Sequence, residues 1–407
     1  MHISVAVVGA GPAGLMSAER LAANGIAVAI FERTKTPARK FLRAGIGGLN
    51  LTHSEDMESF LTRYDVSSPL LLDAVRGFTP QDLRDWCGSL GVPTFIGSSG
   101  RVFPECMKAS PLLRALRARL ENNGVEFVTH HRWQGWSDSG ALLFETPDGQ
   151  RAVRPRATLL ALGGASWPGL GSDGGWVAAL EQRGVAVTPL KPANMGVHVA
   201  WSEVFRARFE GTPVKSAVFH YDGAARKGEA VVTRYGLLGP PVYGFASRIR
   251  RALERGEHPV LTIDGKPDMD ADTLAVRLAG GRRGDSLSER LRRTAHLSPV
   301  IAGLMREATG NRLPTDAPGL AALIKRIPLA VTGTEGLEKA ISTAGGIAMD
   351  ELNDGFMLKK LPGVFAAGEM LDWDAPPGGY LLQACFSTAV AAAEGVREWL
   401  ARGGTAG

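Results

Sequence analysis

The sequence predicts an α/β fold in which a Rossmann-like domain is interrupted by a nested insert. A strand, a glycine-rich turn and a helix open the chain, and a second strand that ends in a glycine and a carboxylate lies near its C-terminus. The 407 residues are enough for two or three domains, so the segment between these motifs has room for an insert.

Composition and charge are those of a globular protein, with 44% hydrophobic and 21% charged residues. The 46 Lys and Arg against 41 Asp and Glu give a net charge of +5, which favours anionic partners only weakly. Basic residues are densest between 277 and 312, where we favour a solvated helical face over a surface for anions or nucleic acid. The arginines there are Arg277, Arg282, Arg283, Arg290, Arg292, Arg293, Arg306 and Arg312.

The three cysteines, Cys87, Cys106 and Cys385, are widely spaced and form no CxxC pair, and no histidine spacing indicates a metal site. The sequence has no run of 18 apolar residues and no basic stretch before Val5, so neither a membrane span nor a signal peptide is expected. We therefore expect a reduced, cytoplasmic protein with no metal site and no membrane partner.

The N-terminal motif is a GxGxxG sequence at 9–14 that follows a predicted strand at 3–8. In this motif Gly9 permits the tight turn, Gly11 lets a pyrophosphate approach the backbone, and Gly14 allows close packing of the helix. The helix N-terminus then faces the phosphates.

A second predicted strand at 27–31 ends at Glu32, whose carboxylate can accept hydrogen bonds from ribose hydroxyls. Strand, turn, helix and carboxylate together predict a dinucleotide site, with FAD and NAD both open at this point. Its predicted binding residues are Gly9, Gly11, Pro12, Ala13, Gly14, Glu32 and Arg33.

The C-terminal motif is a buried strand that leads into Gly368 and Glu369, followed by a turn and a helix at 381–399. Free amides at the start of that helix can stabilise negative charge on the N1/C2=O edge of a reduced flavin, a need that an NAD site does not have. The binding residues predicted here are Gly368, Glu369, Asp372, Gly379, Tyr380 and Leu381, with capping of nearby amides as the alternative for the two carboxylates.

The two motifs together resemble the two-part FAD site of the glutathione-reductase-like flavoproteins. Within that superfamily, blocks spread over nearly the whole chain resemble the BaiN-like (YhiN-like) flavoproteins; they lie at 40–42, 47–52, 100–104, 161–166, 233–240, 343–346, 368–372 and 378–383. One departure is Gly48-Leu49-Asn50, where many members have Arg-Cys-Asn, so no role of that cysteine is carried over. The resemblance implies FAD as the cofactor, in a family described mostly as NAD(P)/FAD-dependent oxidoreductases.

Further binding residues follow from this resemblance. It implies that Asn50 lies near the isoalloxazine, that Val128 lines the adenine side of the site and that Gly163 lines the flavin side. Lys40 follows the second predicted strand, and from that position we expect it to contact the pyrophosphate or the flavin edge. The alternatives are a solvated lysine, a local turn cap at Asn50 and an ordinary sheet strand at Val128. Arg101 is a candidate clamp for a substrate carboxylate, with a structural ion pair as the equal alternative.

The predicted domain limits place 1–190 and 340–407 in a discontinuous FAD-binding domain. The resemblance implies a β-barrel-like insert at 191–265 and 326–339, and apolar residues at helical spacing predict a helical subdomain at 266–325.

These features predict an FAD-dependent oxidoreductase that acts on an unidentified small organic substrate. NAD(P)H would have to bind transiently at the flavin face or not at all, because no second GxGxxG dinucleotide site is expected in the middle of the chain. An oxidase or dehydrogenase with another electron donor stays open. Two alternatives stay open, an FAD-containing RNA-modifying protein and a non-catalytic flavin-binding redox sensor. A disulfide reductase is disfavoured because a neighbouring cysteine pair is absent. No catalytic residue and no oligomeric state are predicted.

Overall fold

The computed structural model of the protein describes residues 3–66, 68–281, 284 and 286–404. Arg282 and Arg283 of the arginine-rich stretch lie outside these residues. The chain separates into two compact units, a nucleotide unit (1–191 and 342–407) and an insert unit (192–341).

The secondary-structure elements alternate along much of the chain. The strands are β1 (Val5–Val8), β2 (Val28–Phe31), β3 (Thr52–His53), β4 (Thr94–Ile96), β5 (Arg101–Pro104), β6 (Glu126–Val128), β7 (Arg132–Trp136), β8 (Leu142–Thr146), β9 (Gly149–Val153), β10 (Ala157–Leu160), β11 (Val187–Ala193), β12 (Val197–His198), β13 (Pro213–Tyr221), β14 (Ala224–Val232), β15 (Gly236–Leu238), β16 (Val260–Asp264), β17 (Ile327–Ala330), β18 (Gly333–Thr334), β19 (Ser342–Ile347) and β20 (Val364–Ala366). The helices are α1 (Pro12–Ala23), α2 (Arg39–Ala44), α3 (Met57–Leu61), α4 (Pro69–Gly77), α5 (Pro80–Ser89), α6 (Ala109–Asn122), α7 (Val177–Glu181), α8 (Glu203–Phe209), α9 (Pro240–Glu254), α10 (Ala271–Ala279), α11 (Leu287–Thr294), α12 (Pro299–Ala308), α13 (Ala317–Lys325) and α14 (Tyr380–Ala401), with 3₁₀ turns at Pro168–Leu170, Met349–Glu351 and Gly368–Met370.

The nucleotide unit is built on a five-stranded parallel sheet in the order β20-β10-β1-β2-β6. Its central strands are buried along their whole length, as parallel strands covered on both faces require. Val8 pairs with Phe31 and with Leu160, so the loops that follow β1, β2 and β10 emerge at one edge of the sheet. This sheet confirms the predicted Rossmann-like α/β class.

Helices α1 and α14 pack together beside this sheet, and the hydroxyl of Ser17 donates a buried hydrogen bond to the carbonyl of Ala389. Small residues on α14, including Ala389 and Ala392, are fully buried and permit this close approach. The end of the chain is thus fixed beside the N-terminal motif.

Two small antiparallel sheets complete the nucleotide unit, in the orders β3-β5-β4 and β7-β8-β9. In the first, His53 pairs with Arg101 and Phe95 pairs with Phe103. Because side chains alternate between faces along β5, Arg101 and Phe103 point to the same face.

The insert unit has an antiparallel sheet in the order β17-β16-β13-β14-β15-β12-β18 and a hydrophobic core of its own. Helix α9 packs on β14, and α10 to α13 form a helical layer. Strands β17 and β18 stand at the two edges of this order, and a closed barrel stays a prediction.

The described residues offer neither a membrane-spanning helix nor a metal site. No helix there is long and apolar enough to cross a bilayer, and no group of three His, Cys, Asp or Glu side chains could hold a metal ion.

Candidate functional site

The three glycines of the N-terminal motif have different surroundings. A Cβ on Gly9, which has a φ of 103°, would collide with the carbonyl of Ala161, and one on Gly14 would collide with the carbonyl of Gly9. A Cβ on Gly11 would meet nothing within 4 Å. Gly9 and Gly14 are therefore required by packing, whereas Gly11 borders open space of the kind that a pyrophosphate needs.

Helix α1 begins beside that space without a side-chain cap. Its N-cap is Gly11, and Pro12 follows at the first helical position, where its lack of an amide hydrogen costs nothing. The first helical hydrogen bond is donated by Leu15 to the Gly11 carbonyl. The amides of Ala13 and Gly14 precede it, and free amides at a helix N-terminus are suited to an anion.

Glu32 closes the motif at the end of β2. Its carboxylate accepts hydrogen bonds from the amides of Ala10 at 3.1 Å and Thr34 at 2.8 Å. It thus holds the turn after β1, and its predicted contact with a ribose stays a prediction. The Glu32 amide in turn donates to the carbonyl of Val128, so the predicted adenine-side strand is tied to the same loop.

Arg33, the next predicted residue, forms a 2.7 Å ion pair with Asp173. Asp173 belongs to residues 169–174, which repeat the GxGxxG spacing. This repeat overlaps the 3₁₀ turn Pro168–Leu170 and precedes the short α7, so it is not a second strand–glycine–helix unit.

The C-terminal motif meets the N-terminal motif at Gly368. A Cβ on Gly368 would lie 2.8 Å from the Cβ of Ala13 on α1. The Gly368 amide donates to the hydroxyl of Thr388 on α14, and its carbonyl accepts from the indole of Trp373. The two halves of the predicted site, more than 350 residues apart in sequence, are therefore adjacent.

Glu369 and Lys40 form an ion pair with an Nζ–Oε2 distance of 2.6 Å. The ammonium also donates to the hydroxyl of Ser166 at 2.6 Å, and Glu369 accepts from the amide of Thr343 at 3.1 Å. The Thr343 hydroxyl accepts from the Ser166 amide, which ties the loop after β10 to β19. The residue-by-residue prediction included Lys40 and Glu369 but not Ser166 and Thr343, although both lie in blocks that carried the family resemblance.

Gly163 lies where the chain leaves β10, and its carbonyl accepts from the indole of Trp176. The hydroxyl of Ser172 lies about 3.5 Å from where a Gly163 Cβ would stand, and Glu369 Oε2 lies about 4.0 Å from it. Ser172 is 6% exposed, and its hydroxyl has no hydrogen-bond partner among the described residues. A buried hydroxyl in this condition is normally satisfied by a ligand or by water.

Asn50 and Thr52 lie on the segment that leads into β3. Thr52 is fully buried, and neither its hydroxyl nor the Asn50 Oδ1 atom has a hydrogen-bond partner in the described part of the chain. Gly379, the N-cap of α14, stacks on the Thr52 backbone so closely that a Cβ would lie 2.5 Å from the Thr52 Cα. Helix α14 has no side-chain cap, so its free first-turn amides begin next to Thr52.

Tyr380, the first residue of α14, donates from its hydroxyl to Glu55 at 2.6 Å. Arg63 binds both oxygens of the same carboxylate, at 3.1 and 2.5 Å. Burial raises the pKa of Glu55, but the hydrogen bonds from Arg63 and Tyr380 outweigh it and the pKa is lowered. Burial, together with the hydrogen bond to Glu55, raises the pKa of Tyr380, which keeps the phenol protonated. This network fixes the start of α14.

The remaining predicted positions lie around the same helix. Asp372 accepts a 2.6 Å hydrogen bond from the hydroxyl of Thr188, and Leu381 follows Tyr380 in the uncapped first turn. Cys385 lies one turn further along α14, where burial, then the carboxylate of Glu369, raises the pKa of its thiol to about 12. The thiol is therefore protonated at neutral pH and a poor nucleophile.

Taken together, these residues fit a bound dinucleotide with a flavin end. The site combines open space beside Gly11, uncapped N-termini on α1 and α14, and buried hydroxyls on Thr52 and Ser172 that have no hydrogen-bond partner among the described residues. Whether each predicted residue contacts the cofactor stays a prediction.

Comparison with known proteins gives one family match that spans most of the chain. The model of the HI0933-like protein Rossmann domain matches residues 3–395. A 3-dehydro-bile acid delta(4,6)-reductase of Clostridium scindens is 26% identical over 97% of this chain and 99% of its own length. A ribosomal RNA dihydrouridine synthase of Escherichia coli is 25% identical over 95% of this chain and 96% of its own length.

A solved structure supports the fold alone. The 3-ketosteroid-delta4-(5alpha)-dehydrogenase from Rhodococcus jostii RHA1 superimposes with a TM-score of 0.52 at 16% identity and covers 97% of this chain and 96% of its own. The resemblance to BaiN-like and YhiN-like proteins stated from the sequence is confirmed.

Proposed function

Since the chain belongs to the HI0933-like family of Rossmann-domain proteins and is a flavin-dependent oxidoreductase, we propose that it uses NAD(P)H to reduce a carbon–carbon double bond conjugated to a carbonyl group in a small organic substrate. In this reaction a hydride from NAD(P)H ends on one carbon of the double bond and a proton from solvent ends on the other, and NAD(P)⁺ is released. FAD, when bound, carries the hydride between donor and substrate.

The names of the two relatives support this reaction class. One name describes the reduction of delta(4,6) double bonds in a 3-dehydro-bile acid, and the other the conversion of uridine in ribosomal RNA to dihydrouridine. Both reactions saturate a double bond of a carbonyl-containing ring. The two substrates differ widely, so the shared chemistry is a better guide to this chain than either substrate.

The observation that carries the proposal is the junction of the two motifs at Gly368 and Ala13. It places the uncapped start of α1 in the same site as the Lys40–Glu369 pair. The amides of α1 are suited to the pyrophosphate, and those of α14 to negative charge that develops on the reduced flavin. Asn50 and Thr52 supply polar atoms on the side of the site next to Gly379.

The test is an absorbance spectrum of the purified protein, followed by anaerobic addition of NADH and then NADPH. We expect flavin absorption bands that bleach with one of the two donors and return when a conjugated enone is added. Bands that persist with both donors would contradict the NAD(P)H-linked function. Bleaching without reoxidation by any enone would contradict the substrate class.

A second candidate is the reduction of a uracil base in RNA, which the relative from Escherichia coli and the charge of the insert unit favour. Residues 192–341 contain 22 of the 46 Lys and Arg but only 16 of the 41 Asp and Glu, a net charge of +6 against −1 for the remainder. RNA retention that weakens steeply with salt, together with dihydrouridine formed in the RNA, would favour this candidate. Elution of the protein from RNA at low salt would contradict the RNA-reducing function.

A further inference from the structure

We infer that the exposed face of the sheet β3-β5-β4 is a binding site for a small amphipathic carboxylate, an apolar molecule that bears one carboxylate group. We call it the β5 face and define it by Phe95, Arg101, Phe103 and Met107. The inference deepens the proposed function, on which it rests, because it names the substrate class for the same site.

The apolar part of the β5 face consists of side chains that solvent reaches. Phe95 and Met107 are each 38% exposed, and the rings of Phe95 and Phe103 lie 5.9 Å apart. A Cβ on Gly48 would lie 2.7 Å from the Met107 side chain and 3.6 Å from the Phe103 ring, so these groups adjoin one another. Ile46, on the same loop as Gly48, is 71% exposed. Large exposed apolar side chains that cluster in this way commonly mark a ligand surface.

The polar part is the guanidinium of Arg101. Its position two residues from Phe103 on β5 puts both side chains on the same face. With the residues that the structure describes, the guanidinium forms no hydrogen bond or ion pair, which removes the structural alternative that the sequence left open. A half-buried arginine beside apolar rings fits a carboxylate, which it can bind with two parallel hydrogen bonds.

The β5 face continues into the candidate site. Arg101 pairs with His53, and the His53 ring stacks on Tyr380 with centroids 5.6 Å apart. His53 is held there, because its Nε2 lies 2.9 Å from the Ser99 carbonyl and Gly100 packs against the ring. Tyr380 opens α14, so a ligand on the β5 face would reach towards the end of the site assigned to the flavin.

The experiment measures binding of 1-pyrenebutyrate and of its methyl ester to the purified full chain by equilibrium dialysis, without NAD(P)H. The two probes share a flat apolar body and differ in the charge that Arg101 would bind. We expect the acid to bind about tenfold more tightly than the ester, since one charge-assisted hydrogen-bond pair separates them. Arg101→Met should abolish this preference and leave binding of the ester unchanged. Ile46→Ser, at an exposed apolar position on the loop that adjoins the β5 face at Gly48, should weaken binding of both probes.

The matched control is Arg397→Met, which removes an exposed arginine paired with Glu394 on α14 and should keep the preference for the acid. Equal binding of acid and ester to the unaltered chain, or an unchanged preference in Arg101→Met, would overturn the proposal. So would an Ile46→Ser variant that leaves probe binding intact but converts a dimer to a monomer in sedimentation, because the face would then bind a second copy. Failure of NAD(P)H to bleach the flavin would contradict the proposed function but would not change the measured preference for the acid over the ester.

Discussion

The nucleotide unit and the insert unit differ in how many of their described helices begin at a side-chain cap, which four of the six insert helices have. Four helices of the insert, α8, α10, α11 and α13, start at side chains that accept hydrogen bonds from first-turn amides: Ser202, Asp270, Ser286 and Asp316. Helix α9 starts at Gly239, but Pro240 and Pro241 follow and have no amide hydrogen. The starts of these five insert helices therefore need no ligand to accept hydrogen bonds from their first-turn amides.

In the nucleotide unit, α1 and α14 start at Gly11 and Gly379 with no side-chain cap. Short helices of the same unit do have caps, as α5 shows with a capping box between Thr79 and Asp82. Side-chain caps are also absent at α2, α6 and α7 of this unit and at α12 of the insert, so a missing cap alone does not mark a ligand site. Helices α1 and α14 start within the two motifs, where a ligand can supply acceptors for their first-turn amides. The insert differs in another way, because it carries the positive charge of the protein.

The largest expected effect is the loss of FAD binding when a side chain fills the open space beside Gly11. Gly11→Val should place a side chain where a pyrophosphate would lie and weaken FAD binding about a hundredfold or more, giving colourless protein. Gly88→Val is the matched control, because Gly88 is exposed on α5 and its Cβ would also meet nothing within 4 Å. The ratio of flavin to protein absorbance measures both. Yellow, stoichiometric Gly11→Val protein would contradict the assignment of the site.

Two similar ion pairs, one in each unit, sharpen the comparison. Lys40→Met should weaken FAD binding about tenfold, since Glu369 loses its charged donor. Lys325→Met removes a pair of similar length, 2.7 Å to Asp264, and should lower the free energy of unfolding by about 1–3 kcal/mol without changing FAD affinity. Fluorescence titration with FAD and urea unfolding distinguish the two variants. Equal FAD affinity in both would show that the Lys40 pair is only structural.

The hydrogen-bond network of Glu55, Arg63 and Tyr380 at the start of α14 predicts that the free energy of unfolding depends on pH. The pKa of Glu55 is lowered in the folded protein, so its stabilising contribution is complete above the ordinary value of 4.5 and is lost as the pH falls through the folded-state pKa. The difference in unfolding free energy between the unaltered chain and Glu55→Gln should therefore be constant above about pH 5 and shrink below pH 4.5.

The companion variant Tyr380→Phe should lower the free energy of unfolding by about 1–2 kcal/mol at pH 7, because it loses the hydrogen bond to the Glu55 carboxylate. Urea unfolding at several pH values measures both variants. A Glu55→Gln difference that persists unchanged at pH 3.5 would contradict the role given to the carboxylate.

The smallest expected effect is on the basic surface of the insert. Arg277 and Arg292 are exposed on α10 and α11, and replacing both with Gln should change the free energy of unfolding by no more than about 0.5 kcal/mol each. If the protein acts on small molecules, affinity for RNA should be weak before and after the change. A shallower salt dependence of RNA binding in the double variant would instead favour the RNA-modifying candidate.

Much of the fold could be predicted because its signals are local. Val5–Val8 and Val28–Phe31 are short apolar strands around a glycine turn, and that pattern predicts a Rossmann-like unit without knowledge of distant contacts. The strand at 364–366 and the long helix after Gly379 could be predicted in the same way, from a short apolar run and from helical spacing after a glycine turn. The predicted ends of these elements differ from the observed ends by a few residues, because the last helical turns and strand pairs depend on neighbouring elements.

The parts of the site that sequence could not predict are pairings over long separations. Nothing local to Lys40 selects Ser166 and Glu369 as its partners, and nothing near Glu55 indicates Tyr380, 325 residues away. The guanidinium of Arg101, which has no partner among the described residues, is a similar case, because the sequence around an arginine does not show whether a carboxylate folds beside it.

The sequence by itself determined where tight turns, strands and helix starts lie, because backbone conformation and periodic burial depend on neighbouring residues. Only the tertiary structure decided that Gly11 borders open space while Gly9 and Gly14 are enclosed. It also decided that the buried hydroxyls of Thr52 and Ser172 find no hydrogen-bond partner within the described part of the chain. Those properties depend on which distant atoms fill the volume around each group, and that volume is set when the sheet brings both ends of the chain together.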